Sequence, residues 1–221
     1  RRLRRIRPAQ VVVSANGLRE GAMFELASQE TRLRDPLIDL ADRFGQNRAR
    51  APAMGDAMMT FLDPLYADEP PSDRRLRAAA CALADIGWRH HPDYRAEMAF
   101  DRVMFAAVSG ADHAERAFVA HAVRQRYGGD ASTGDVKATL QLLDPERRAA
   151  AQRLGRARRL GFAYAASSAA LLKTARLERR DDAILLRVER DHAEMLSETV
   201  RRRLEQCAKA FEMSSEARLD A

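Results

Sequence analysis

The chain has 221 residues, 38 Lys and Arg against 32 Asp and Glu, a formal charge of +6, and 46% apolar residues broken up by a 32% charged fraction. That length builds one sizeable domain or one with a small appendage, and no stretch approaches the roughly 20 apolar residues of a membrane span, so a membrane protein is excluded. The two cysteines, Cys81 and Cys207, lie far apart in helix-like patterns rather than in the framework of a small secreted scaffold, so a reducing, cytosolic setting is expected.

The first residues are basic and run into Val11-Val12-Val13, followed by the turn signal Ser14-Ala15-Asn16-Gly17 and then Leu18-Arg19-Glu20-Gly21. A lone valine strand needs partners for its backbone. None is visible nearby, so the chain is expected to be a fragment whose missing N-terminal part held the rest of that sheet. Asp35-Pro36 reads as an N-cap with proline at the first helical position, and Leu37, Leu40, Ala41 and Phe44 follow at helical spacing. Met54, Met58, Phe61, Leu62 and Leu65 repeat the stripe, and Ser72 is the cap expected for a helix through Leu76, Ala80, Leu83 and Ile86 that stops at Gly87. An apolar series through Tyr94, Met98, Val103 and Phe105 comes next, then a helix from Ala114 to Tyr127 ending at Gly128-Gly129. Asp144-Pro145 repeats the cap and opens a long helix with Leu154, Ala157, Leu160, Gly161, Tyr164, Ser168 and Leu171. The middle is therefore a mainly α bundle of about seven helices with short loops.

The tail differs. Thr174 to Arg180 and Ile184 to Arg190 flank Asp181-Asp182, and Leu186 and Val188 alternate with Arg187 and Glu189, as a half-buried hairpin should. Asp191 with Glu194 resembles a capping box, and Leu196, Val200, Leu204 and Phe211 stripe a final helix. The tail is thus a small α+β unit, too small to be stable unless docked.

Cys81-Ala82-Leu83-Ala84-Asp85-Ile86-Gly87 resembles the centre of the HD phosphohydrolases, in which a His-Asp pair helps hold a metal. Here the pair falls on Ala84 and Asp85, no histidine lies near Ala49 to Pro52, and no acid lies in Gly161 to Ser168. A lone carboxylate holds a divalent ion poorly, so a degenerate HD-like bundle without a metal is expected. Together with Ser14-Ala15-Asn16-Gly17-Leu18-Arg19-Glu20-Gly21 and the Arg158-Arg159-Leu160-Gly161 helix, hairpin and last helix, this resembles the C-terminal half of the exopolyphosphatase and guanosine pentaphosphate phosphatase family, over essentially the whole chain.

The resemblance implies residues 1–21 as the last strand and turn of an actin-like, RNase-H-type phosphatase domain, 22–172 as the HD-like bundle and 173–221 as the small α+β domain. It also implies a parent hydrolase, Mg2+-dependent in its absent N-terminal domain, that removes terminal phosphate from polyphosphate or pppGpp. This chain would then be an inactive substrate-channel and regulatory half, pairing with that N-terminal domain and forming a homodimer.

A guanidinium fork matches phosphate oxygens, so Arg19, Arg43, Arg48, Arg50, Arg156 and Arg159 are candidate polyphosphate contacts, the last two sharing a helix face at i, i+3. Arg153 and Arg158 join that stretch, whereas Arg201-Arg202-Arg203 fan around the last helix and read as a solvated face. His90-His91, being adjacent, point about 100° apart on a helix; they and His113 with His121 read as capping or packing residues. Met54, Met58 and Met59 read as core filling, and Trp88 as a packing anchor. Two other functions remain open. One is an active HD phosphohydrolase, against which the missing histidines stand; the other is an arginine-rich nucleic-acid binder, for which charge argues but no recognition motif does.

Overall fold

A computed structural model of the chain describes residues 7–9, 11, 16–48, 50–51, 53–106, 109–129 and 134–220, with residues 47 and 48 described by backbone only. Val12 and Val13 of the expected strand, and the side chain of Arg48, lie outside the described residues. The chain forms two compact units, Arg1–Asp35 and Pro36–Ala221.

The first unit holds α1 (Leu18–Glu25) and α2 (Gln29–Leu33). The Gly17 N–H donates to Glu20 Oε2 at 2.8 Å, and Ser28 Oγ accepts from the Thr31 N–H at 3.2 Å, so each helix starts on a side-chain acceptor. Leu18 to Gly21 is therefore the first turn of a helix that runs through position 21 and on to Glu25, not a turn after a strand. Neither helix has a buried residue.

The second unit is mainly helical. It contains α3 (Pro36–Arg48), α4 (Met54–Leu62), α5 (Pro71–Ala82), α6 (Arg95–Met104), α7 (His113–Arg126), α8 (Gly134–Thr139), α9 (Pro145–Ala165) and α10 (Ala169–Leu172). The strands β1 (Ala175–Arg179) and β2 (Ala183–Val188), the helix α11 (Glu198–Ala210) and the strand β3 (Ser214–Leu219) follow. The expected stripes are buried: Leu37 and Ala41 in α3, Met54, Met58, Phe61 and Leu62 in α4, and Leu154, Ala157, Leu160 and Tyr164 in α9.

α9 is the central column, packed on α7 along one side and on α11 along another. Its closeness to α7 depends on Gly155: a Cβ there would stand 2.3 Å from Gln125 Cβ and 2.8 Å from the Ala122 carbonyl oxygen. Asp144 caps α9 by accepting from the Arg147 N–H at 2.7 Å, and Asp112 caps α7 in a capping box with Glu115.

Several local expectations change. α5 begins at Pro71, so Ser72 lies inside its first turn rather than capping it. Of the expected series Val103 is buried while Tyr94, Met98 and Phe105 are exposed, and α6 buries Ala96, Ala99, Phe100 and Met104 alongside Val103. The last helix starts after Ser197, whose Oγ accepts from the Val200 N–H, because Arg190–Met195 closes into a 3-10 turn that Asp191 cannot cap as α-helix.

The expected hairpin is present, with Leu177 opposite Leu186. A third strand joins it: the chain crosses over through α11 and returns as β3, parallel to β2, giving the order β1-β2-β3. The sequence Ser214-Ser215-Glu216-Ala217-Arg218-Leu219 contains no β-branched or aromatic residue, so its strand character comes from pairing with β2 rather than from propensity.

Candidate functional site

Beyond α5 the chain tightens into successive turns, with Ala84 N–H bonded to the Cys81 carbonyl and Trp88 N–H to that of Asp85. This carries Ala84 and Asp85 into the interior, each 2% exposed. Ala84 packs with the apolar core. Asp85 needs compensation for a buried carboxylate, and arginines supply it.

Arg126, in the last turn of α7, donates from Nη2 to Asp85 Oδ1 at 3.0 Å. The backbone N–H of Arg50 donates to Oδ2 at 3.3 Å, with the Arg50 Nε 3.6 Å from the same oxygen. Arg126 is sandwiched as well as paired: its guanidinium carbon lies 3.8 Å from the centroid of Phe162 and 4.1 Å from that of Tyr127. Burial lowers the Arg126 pKa, while Tyr127 and Asp85 act against that shift. Tyr127 fixes the turn after Asp85, its hydroxyl oxygen accepting from the Gly87 N–H at 2.9 Å.

Arg50 is half exposed. Its guanidinium donates to Ser167 Oγ and lies 5.7 Å from the Trp88 ring centroid, while Arg89 lies 5.1 Å from the same ring. The site therefore opens outward through an arginine, a tryptophan and a second arginine.

Arg158 is the most unusual group. It is 0% exposed, and none of its three guanidinium nitrogens has a hydrogen-bond partner among the described residues. Burial pulls its pKa down to about 10, and Arg126 adds to the fall, while Cys81, Tyr127 and Tyr66 favour the charged form. Burial in turn pushes the Cys81 thiol up to about 11.

The candidate residues separate. Arg19 belongs to the first unit, largely exposed and paired with Glu20 at 3.0 Å. Arg43 is exposed and paired with Asp39 at 3.0 Å. Of the candidate arginines with described side chains, Arg50 alone reaches Asp85. Arg156 and Arg159, on one stripe of α9 by their i, i+3 spacing, meet different neighbours. Arg156 acts electrostatically on Cys207 of α11, whereas the Arg159 guanidinium lies over Gly128 at the end of α7, within 2.5 Å of where a Cβ would stand. Packing of α9 between two helices splits the stripe.

The histidines are held by packing and local bonds. His121 is buried, bonded to Thr139 Oγ1 at 3.1 Å and packed against Phe100; burial pushes its pKa down to about 4. His91 lies 3.6 Å from Asp93, and burial together with Arg102 and Arg95 lowers the His90 pKa. No group of three or more His, Cys, Asp or Glu residues among those described could hold a metal ion. The Asp85 environment does not fit one either: both carboxylate oxygens face guanidinium or backbone N–H donors, a donor set that takes up the charge a cation would need.

The sequence reading missed Arg126 and Tyr127, treated only as a helix end, and Arg158, grouped with the candidate phosphate contacts Arg156 and Arg159. The signal was that Arg158 falls four residues from Leu154 and Phe162 on the buried stripe of α9.

The model of the exopolyphosphatase C-terminal domain matches residues 37–215. A comparison with curated proteins returns no match.

Proposed function

Because the chain belongs to the exopolyphosphatase C-terminal family, we propose that it is the polyanion-binding and regulatory half of a hydrolase that releases terminal phosphate from inorganic polyphosphate or pppGpp. The phosphate-transfer chemistry, with its Mg2+, belongs in this reading to an N-terminal phosphatase domain of the parent, and the chain by itself does not turn substrate over. A cytosolic setting goes with the reading, and the buried thiols of Cys81 and Cys207 are compatible with it.

The observation that supports a binding role most directly is the mouth of the Asp85 site. Arg50 and Arg89 flank Trp88, and Arg50 stays half exposed although it leans on Asp85. One carboxylate serves two arginines there. The excess positive charge attracts oxyanions and repels divalent cations, which also argues against an HD-type metal hydrolase at this position.

Titration calorimetry with long-chain polyphosphate over a salt series tests the proposal. Affinity should fall linearly with salt on logarithmic axes. The Arg50→Ala/Arg89→Ala double variant should bind about tenfold more weakly, with a salt slope lower by about one to two. Absence of binding at low salt, or binding untouched by the double variant, would remove this surface from the substrate path. Tighter binding of short RNA than of polyphosphate would favour the nucleic-acid reading.

A further inference from the structure

α9 ends on a corner that its residue types do not favour. The chain leaves the helix through Ala166 (φ 47°, ψ 33°) and Ser167 (φ 72°), two successive residues in the left-handed region, where a Cβ crowds its own backbone. Glycine takes that conformation freely, and the chain uses it just after α7, where Gly128 has φ 88°. After α9 it keeps two side chains instead. The corner is pinned on both sides. The Ala166 N–H donates to the Phe162 carbonyl at 3.0 Å and the Ser168 N–H to that of Ala165 at 2.7 Å, while Ser168 Oγ accepts from the Leu171 N–H at 3.2 Å to open α10. Strain of this kind persists where the surroundings enforce it, and it gathers at sites that use the group it aims.

The group aimed here is the Ser167 hydroxyl. Ser167 is 6% exposed, and among the described residues its Oγ makes one hydrogen bond, accepted from Arg50 Nη2 across 117 positions of sequence. Arg50 is thereby held twice, through Nη2 by Ser167 and through Nε, which lies 3.6 Å from Asp85 Oδ2. Its Nη1 has no hydrogen bond among the described residues, and the side chain is half exposed beside Trp88. An unrestrained arginine loses rotamer freedom when it binds an anion; one fixed at two nitrogens has lost it already and presents its remaining donors in a set plane.

We propose that Ser167 is a positioning residue for the oxyanion surface: the left-handed backbone at Ala166 and Ser167 is retained because it places the hydroxyl that orients the Arg50 guanidinium. This rests on the reading that Arg50 and Arg89 receive polyphosphate, and adds the group that orients one of them. Glycine at 167 suits the backbone and lacks the hydroxyl, whereas alanine keeps the strain and lacks the hydroxyl. The two substitutions therefore separate stability from binding.

Titration calorimetry with long-chain polyphosphate at low salt, thermal unfolding, and acrylamide quenching of Trp88 provide the test, all on the full chain. Trp88 is the single tryptophan, so its emission reports the surroundings that Arg50 shares. Ser167→Gly should bind polyphosphate about three- to tenfold more weakly, while its Tm stays at or above that of the wild type. Ser167→Ala should lose the same affinity with no gain in Tm. In an Arg50→Ala background neither substitution should weaken binding further, because a positioning residue acts only through the group it orients. In the ligand-free chain Ser167→Ala should raise the quenching of Trp88, as Arg50→Ala does, because the guanidinium leaves the ring. Wild-type affinity in Ser167→Gly, a loss that persists in the Arg50→Ala background, or unchanged Trp88 quenching in Ser167→Ala would overturn the positioning role alone. A wild type that binds no polyphosphate, with Trp88 quenching still raised by Ser167→Ala, would overturn the reading of the surface and the role with it, which separates the two failures.

Discussion

Replacing Asp85 by asparagine keeps the shape of the turn and one acceptor oxygen while removing the charge that two arginines share. Arg126 bears most of the loss, because its side chain is only a tenth exposed and Asp85 is its one carboxylate partner among the described residues. Stranding one member of a buried ion pair costs about 3–5 kcal/mol. The half-exposed Arg50 arm adds under about 1 kcal/mol. Two terms act the other way: the amide oxygen of asparagine can still accept a hydrogen bond, and Phe162 and Tyr127 keep their hold on the Arg126 guanidinium. The net loss is about 3 kcal/mol, which at about 2–4 °C per kcal/mol for a chain of this size lowers Tm by about 6–12 °C. Urea unfolding followed by circular dichroism, with the slope held constant, measures it. Arg126→Met combined with Asp85→Asn should then cost clearly less than the two single losses added together, since the double variant strands no charge. A single-variant loss below about 1 kcal/mol, or additive losses, would refute the idea that this pair is a buried structural lock.

Two further outcomes follow from other buried groups. Arg158→Met removes a guanidinium that has no hydrogen bond and replaces it with an apolar chain of similar length, so stability should stay level or rise by about 1–3 kcal/mol, read as an increase in Tm; a loss above about 1 kcal/mol would mean that the cation is paired in solution. His121 has a folded pKa of about 4 against an ordinary value near 6.5, so between those pH values the unfolded chain takes up a proton that the folded one refuses. Stability should therefore fall as pH drops from about 6.5 toward 4, by up to about 1 kcal/mol per pH unit, and His121→Gln should flatten that slope in a pH series of urea midpoints.

The helical bundle was legible because its signals are local. Asp144-Pro145 names the start of α9, Gly128-Gly129 names the end of α7, and the Met54 to Leu65 stripe names the buried face of α4. β3 was not legible, because its six residues carry almost no apolar pattern and acquire strand geometry only when the α11 crossover delivers them to β2. Asp85 was found through its place in a motif, but its partners could not be. Arg126 comes from 41 residues away and Arg50 from 35, and only the packing of α7 and α9 against the turn brings them in. The neighbours of Arg156 and Arg159 were illegible for the complementary reason: equal spacing on a helix says nothing about which groups each side chain meets, and here Arg156 acts on Cys207 of α11 while Arg159 lies over Gly128 at the end of α7.

The charge balance around Asp85 constrains what this C-terminal domain can bind. Around Asp85 the chain sets Ala84 and two arginines, with the third, Arg158, close enough for Arg126 to shift its pKa. One negative charge against three positive ones leaves an excess that the fold must carry in a largely dry interior. Arg126 spreads its share over two aromatic faces, Arg158 keeps its own at a cost to its pKa, and Arg50 turns partly outward beside Trp88. The part of that excess most open to solvent is therefore the Arg50 end, and an anion approaching from outside meets it together with Arg89. Binding there would also bear on the Arg50 contact with Asp85, so occupancy of the surface and the stability of the buried pair are linked: a bound polyanion that draws Arg50 outward leaves Arg126 as the carboxylate's remaining cation. Under saturating polyphosphate the cost of Arg126→Met should consequently exceed its cost in the free chain, which ties the mouth of the site to its interior through one carboxylate.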